Sequence, residues 1–250
     1  MSIRAVVVSF VVAAAGLAAS AASPATPGYI AKAVADASRP ADDRKLDADR
    51  KPGEVLAFAG VRPGQAVVEY LPGGGYYTRL LSDVVGPGGK IHASETTTWG
   101  QGNIDAIKQV MAEPGRGAIS LDLAPLGTFH PPAWKADLFW ISDNYHDLHV
   151  PKYAKVDMAV FNKAVFDALK PGGVYLIVDH AAAPGTGATL SPTLHRIDKA
   201  TVIAEVTAAG FTLAGESDLL RNPADDRAGT IFNPAIHFKT DRFILKFIKP

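Results

Sequence analysis

From residue 52 onward the chain alternates short apolar runs with amphipathic stretches, and this alternation predicts its elements. Pro52 to Phe58 has helical spacing, with proline tolerated in the first turn and Gly60 as the stop. Gln65 to Glu69 is an apolar strand ending in an acid; the glycine run Gly73-Gly74-Gly75 and an amphipathic helix from Tyr76 to Val85 follow. Further strands are expected at Lys90 to Glu95, Ala118 to Asp122, Asp137 to Asp143 and Val174 to Val178. Met158, Phe161, Val165 and Leu169 mark one helical face, which Lys170-Pro-Gly-Gly173 is expected to stop. Ser191-Pro192 opens a helix running toward Ala209, closed by Gly210; Phe211 to Leu220 and Arg242 to Ile248 read as two last strands.

Strands alternating with helices predict an α/β, doubly wound, mostly parallel sheet. The two last strands have no helix between them, so they should pair antiparallel as a C-terminal hairpin at one side of the sheet.

The first residues have a different pattern. Met1 to Arg4 give a positive start, Ala5 to Ala19 carry no charge, and Ala19-Ser20-Ala21 offers a small-x-small cleavage pattern. Residues 1–22 are therefore expected to be a secretory signal peptide, which implies an exported, periplasmic or secreted protein with no stable membrane span after cleavage. A membrane anchor is the competing reading, but the stretch is rich in Ala and Ser and lacks a stop-transfer cluster. Residues 23–51 form a proline-containing leader and a charged segment of mixed sign from Arg39 to Lys51. That segment reads either as a solvated helix laced by ion pairs or as a lid over the site that follows. Residues 52–250 form the main domain.

Composition narrows the function. The 250 residues are 48% hydrophobic and 20% charged, enough for a sizeable core and against disorder. Twenty-five basic residues balance twenty-five acidic ones, which removes the electrostatic footprint expected of a nucleic-acid or anionic-membrane binder. With no cysteine, disulfides, thiolate metal sites and a cysteine nucleophile are excluded.

Two segments carry a resemblance. Val67-Val-Glu-Tyr-Leu-Pro-Gly-Gly-Gly-Tyr-Tyr-Thr78 resembles the first motif of class I S-adenosylmethionine-dependent methyltransferases, and Leu169-Lys-Pro-Gly-Gly-Val-Tyr-Leu-Ile-Val178 resembles their fifth-strand motif. The likeness spans roughly residues 50 to 250 and implies a seven-stranded Rossmann-like sheet. More narrowly, Arg39-Pro-Ala-Asp-Asp-Arg44, residues 143–149 and Leu194-His-Arg-Ile-Asp198 resemble a group of exported bacterial predicted methyltransferases.

The resemblance implies S-adenosylmethionine as cofactor and a small-molecule methyl acceptor. Gly73 and Gly75 leave the backbone clear for a ligand across the strand ends. Glu69 can accept from the amino-acid end of the cofactor, Glu95 from both ribose hydroxyls, and Asp122 from the adenine amino group. Pro72, Tyr76 and Asp143 complete the expected cofactor surround. The family usually has a glycine where Leu71 stands, which puts the first turn of the loop in question. A glycine-rich turn is also compatible with a tight turn alone. A nicotinamide reading lacks the third glycine of a dinucleotide fingerprint.

Four histidines fall after strands four and five or in the helix beyond: His146, His149, His180 and His195. Strand carboxyl ends are where ligands bind in open α/β sheets, so these rings can converge on one pocket, and a helical turn over residues 143–149 would put His146 and His149 on one face. His146, His149 or His180 is expected to serve as general base toward the acceptor. A divalent metal held by Asp143 and Asp179 with a histidine is the less favoured arrangement. For any single histidine, capping a strand end or bonding backbone is the plainer reading; for all four together it is less comfortable. Tyr76 and Tyr145 are the aromatics expected in the pocket wall, and Arg196 and Asp198 are expected to pair. Because S-adenosylmethionine is cytosolic, an exported module that keeps the fold and binds a ligand or metal without catalysis is the alternative function.

Overall fold

The computed structural model describes residues 25–250, so the expected signal peptide at 1–22 lies outside the described residues. Among the described residues no helix is long and apolar enough to cross a membrane. Four short helices open the chain: α1 (Gly28–Val34), α2 (Ala41–Lys45), α3 (Asp47–Arg50) and α4 (Pro52–Ala59). Strands and helices then alternate through β1 (Ala66–Tyr70), α5 (Tyr76–Val85), β2 (Lys90–Thr96), α6 (Gln101–Ala112), β3 (Ile119–Ala124), β4 (Ala136–Ser142), a 3-10 turn at His146–His149, α7 (Met158–Ala168) and β5 (Leu169–His180). The chain closes with α8 (Ser191–Leu194), α9 (Lys199–Ala208), β6 (Thr212–Ser217) and β7 (Arg242–Ile248).

The seven strands lie in the order β3-β2-β1-β4-β5-β7-β6. The first five are parallel; β7 runs antiparallel to both β5 and β6, which is the expected hairpin. Each face of the sheet is covered. Ile30, Val55, Leu56, Leu80, Leu81, Ile107 and Val110 pack from α1, α4, α5 and α6 on one face. Phe161, Val165, Val202 and Val206 pack from α7 and α9 on the other. Burial on two faces is why β1, β4 and β5 read as unbroken apolar runs instead of alternating ones.

Two sequence expectations need correction. The Lys170-Pro-Gly-Gly173 motif does not stop α7: that helix ends at Ala168, Leu169 already pairs with Ala136, and the register then jumps so that Val174 pairs near Leu138. The four residues form a bulge within β5, with Gly172 at φ +74°. The single helix from Ser191 to Ala209 is in fact two. His195 adopts φ +56°, Ile197 bridges to Ala181, and Asp198 restarts the helix by accepting from the Ala200 N–H. Arg196 drives this break: its side chain is fully buried, pairs with Asp225 at 2.9 Å and donates to the Ala181 carbonyl. The expected Arg196–Asp198 pair is thus replaced by Arg196–Asp225.

The charged segment is not a solvated helix. Arg39 is buried and donates to both carboxylate oxygens of Asp47 at 2.8 Å, while Tyr76 donates its hydroxyl to Asp47 at 2.6 Å. Arg79 reaches Asp43 at 3.1 Å, and Arg50 lies over the Tyr76 ring at 4.7 Å. These cross-links fold α2 and α3 over the glycine loop and the start of α5, leaving Lys45–Asp42 as the local helical pair.

Candidate functional site

In a parallel sheet the strand carboxyl ends lie along one edge, and here β1, β2, β4 and β5 deliver Glu69, Glu95, Asp143 and Asp179 to it. The loop after β1 turns at Leu71, whose φ of +58° is the left-handed conformation that glycine takes freely. The turn is thus made at a leucine, whose side chain is buried in the core. Gly73 at φ +56° and Gly75 at φ +80° complete the loop for different reasons. A Cβ on Gly73 would stand in open space within the cavity, whereas one on Gly75 would meet Val110 at 2.6 Å, so Gly75 serves packing against α6.

This loop borders a cavity of about 320 Å³ walled by Glu69, Pro72, Gly73, Tyr76, Trp140, Ser142 and Asp143, with Asp43, Leu46 and Arg50 of the folded-over segment closing it. Buried polar atoms without a hydrogen-bond partner gather in this wall: Glu69 Oε2, Arg50 Nε, Ser142 Oγ and Asp143 Oδ1. Such atoms are few in native proteins, and their concentration around one cavity marks a site built for a polar ligand. Burial pushes the Glu69 carboxyl up to about 8, outweighing the opposing Thr78 hydroxyl and reinforced by the nearby Glu95 charge.

Asp143 joins this cavity to a larger cleft of about 660 Å³, whose walls include Trp99, Tyr153, Phe232, His146, His180 and His195. Its backbone is left-handed at φ +61°, and its carboxylate lies 3.7 Å from Arg50, 3.5 Å from Arg242 and 3.9 Å from His180. Burial alone would raise the Asp143 carboxyl, but Arg242, His180 and Arg50 hold it at about 2. Burial lowers His180 to about 4, so its ring is neutral near pH 7; Nδ1 is hydrogen bonded to the Thr240 hydroxyl and Nε2 faces Asp143. His146 is the opposite case: burial opposes its charge, yet Asp179 and Asp147 outweigh burial and push it up to about 10.

The structure thus brings Glu69, Pro72, Gly73, Tyr76 and Asp143 to one cavity and His146 and His180 to the adjoining cleft. Other expected residues stand elsewhere. The 3-10 turn at His146–His149 forms, but the two rings reach different partners: His146 pairs with Asp179, whereas His149 lies 3.2 Å from Glu205 on α9 and does not line the cleft. Tyr145 is core, donating to Glu205 and accepting from Asn162. Asp122 sits within β3, which runs on to Ala124, and accepts from Ser94, the His130 backbone and the His130 ring. Glu95 is buried outside the cavity wall, accepting from the Gly73 N–H at 3.0 Å and the Thr96 N–H at 2.8 Å, and so braces the loop. Asp179 is no free metal ligand beside Asp143, because it accepts from the backbone N–H groups of His146 and His180 and from the His146 ring.

Sequence reasoning missed Arg50, Arg242, Ser142 and Asp147. Arg242 had a usable signal: once the C-terminal hairpin is aligned on β5, Arg242 falls opposite His180. Arg50 had none beyond its place in a charged run.

The sheet order, the reversed last strand and the strand-end site define the class I methyltransferase fold. Solved structures that share it include a SAM-dependent methyltransferase from Aquifex aeolicus, 16% identical with TM-score 0.58, covering 84% of this chain and 97% of that one. Fibrillarin of Aeropyrum pernix with natively bound S-adenosyl-L-methionine is 18% identical with TM-score 0.51, covering 81% of this chain and 76% of that one. The [4+2]-cyclase SpnF is 16% identical with TM-score 0.59, covering 84% and 81%. No protein-family model and no curated protein matches the sequence. Likeness at this identity establishes the fold, and the same fold hosts a cyclase, so the activity must be argued from the site.

Proposed function

We propose that the chain binds S-adenosylmethionine in the smaller cavity and methylates a small-molecule acceptor held in the larger cleft. The observation that carries this reading is Glu69, which lines the cavity beside Gly73 and has a buried carboxylate oxygen without a hydrogen-bond partner. The bound cofactor supplies a methyl group on a positively charged sulfur. Glu69 accepts from the amino group of the cofactor's amino-acid end, Arg50 offers its guanidinium to the carboxylate, and the bare Gly73 backbone lets the ligand approach. Glu95, buried outside the cavity wall, holds the loop in place through the Gly73 N–H at 3.0 Å. Asp143, ionised and common to both cavities, provides negative charge where they meet. His180 is neutral at working pH, which leaves its Nε2 able to take a proton from an acceptor hydroxyl or amine. Trp99, Tyr153 and Phe232 give the larger cleft flat apolar walls, suited to an aromatic acceptor.

The test is incubation with methyl-labelled cofactor and a panel of small aromatic alcohols and amines. Label should pass to an acceptor, and Glu69→Gln should weaken cofactor binding at least about tenfold, as expected for a lost charge-assisted hydrogen bond. Failure to bind the cofactor at millimolar concentration would overturn the proposal. Export through residues 1–22 is a separate proposal, supported by the pattern of those residues alone.

A further inference from the structure

Inside the larger cleft three side chains meet in an arrangement that the proposed cofactor chemistry does not use. His146 Nε2 and His195 Nδ1 lie 3.3 Å apart, His146 Nε2 and Asp147 Oδ1 3.3 Å apart, and His195 Nδ1 and Asp147 Oδ1 3.2 Å apart. Three potential ligand atoms therefore form a nearly equilateral triangle. A tetrahedral ion with bonds of about 2.0–2.1 Å sets its ligand atoms about 3.3–3.4 Å apart. The triangle matches one face of that tetrahedron.

The groups around the triangle are arranged as metal sites require. His146 donates its Nδ1–H to Asp179 at 2.7 Å, which fixes the ring and aims Nε2 at the other two atoms. Asp179 is itself held by two backbone N–H groups, so the carboxylate cannot swing away. Asn144 donates to Asp147 Oδ2 at 3.1 Å, leaving Oδ1 for the triangle. His195 is delivered by the left-handed break between α8 and α9, the feature that overrode the expected continuous helix.

We propose that His146, Asp147 and His195 form a three-ligand site for a divalent transition-metal ion of the zinc type, open on its fourth side to the larger cleft. Two imidazoles and one carboxylate disfavour magnesium and calcium, which take oxygen ligands. All three residues line the cleft, as do Tyr153 and Phe232, whose ring lies 4.9 Å from that of His195. The open position is therefore presented to whatever occupies the cleft. A ligand with a phenolic or other ionisable hydroxyl would coordinate there, losing its proton more readily on the metal. The metal site stands on its own geometry; its role of holding an acceptor oxygen rests on the methyltransferase reading.

The experiment is a titration of zinc chloride into tag-free, chelator-dialysed protein, followed by calorimetry, with S-adenosylhomocysteine binding measured on the same sample. One equivalent should bind. His195→Asn, which retains a residue that tolerates the left-handed backbone, should weaken it at least about tenfold, and Asp179→Asn about 10- to 100-fold. Asp147→Asn serves as the second ligand variant, and thermal unfolding of each checks that it folds. No saturable zinc binding, or binding that His195→Asn and Asp147→Asn both leave unchanged, overturns the metal site. Loss of S-adenosylhomocysteine binding with zinc binding intact would instead overturn the cofactor reading alone.

Discussion

Replacing Glu69 with Gln should stabilise the ligand-free protein at neutral and alkaline pH even though it removes a residue assigned to ligand binding. The cause is burial. In the unfolded chain the carboxyl titrates near its ordinary 4.5, but in the fold burial raises it to about 8. A group whose folded value is raised contributes stability that is full below pH 4.5 and is lost as pH rises toward 8. At 1.36 kcal/mol per pH unit, the loss is about 3 kcal/mol by pH 7 and approaches about 5 kcal/mol above pH 8. Gln keeps the shape and cannot ionise, so it escapes the loss. Urea unfolding of both proteins at pH 5 and pH 8.5 reads the difference directly: the two should be nearly equal at pH 5, and the variant should be more stable by several kcal/mol at pH 8.5. A variant that is less stable at both values, or an offset that does not change with pH, would show that burial does not govern the Glu69 carboxyl.

Leu71→Gly should be more stable than Leu71→Ala by about 1 kcal/mol in thermal unfolding, the reverse of the usual order, because both lose the buried side chain and glycine alone relieves the left-handed backbone at φ +58°. Asp225→Ala should cost about 3–5 kcal/mol in denaturant unfolding, since it leaves the fully buried Arg196 guanidinium without its carboxylate. N-terminal sequencing of protein recovered outside the cytosol should find a start near Ala22; soluble cytosolic protein beginning at Met1 or Ser2 would count against export.

The centre of the sheet was legible because β1, β4 and the second half of β5 are short, largely apolar runs buried on both faces, a pattern that depends on local sequence. The positions of Glu69 and Asp143 at the carboxyl ends of β1 and β4 were legible in the same way, since strand ends are fixed once strands are. His149 was misplaced because its ring follows Glu205, more than fifty residues away, and no spacing rule carries that information. The break at His195 was hidden because Arg196 obeys Asp225 and the Ala181 carbonyl and not the helix in which it stands. Leu71 is instructive in the other direction. Its departure from glycine put the loop in question, yet the backbone adopts the glycine conformation with the side chain buried in the core.

Calorimetric titration of S-adenosylhomocysteine across pH 6 to 7.5, in buffers of different ionisation heat, reads whether Glu69 holds the cofactor's amino group. If the ligand's amino group pairs with Glu69, binding must ionise a carboxyl that is mostly protonated in the free protein. The account predicts release of close to one proton near pH 7 and affinity rising about tenfold per pH unit, with both effects absent in Glu69→Gln. No binding, or binding of constant affinity that Glu69→Gln leaves unchanged, would contradict it.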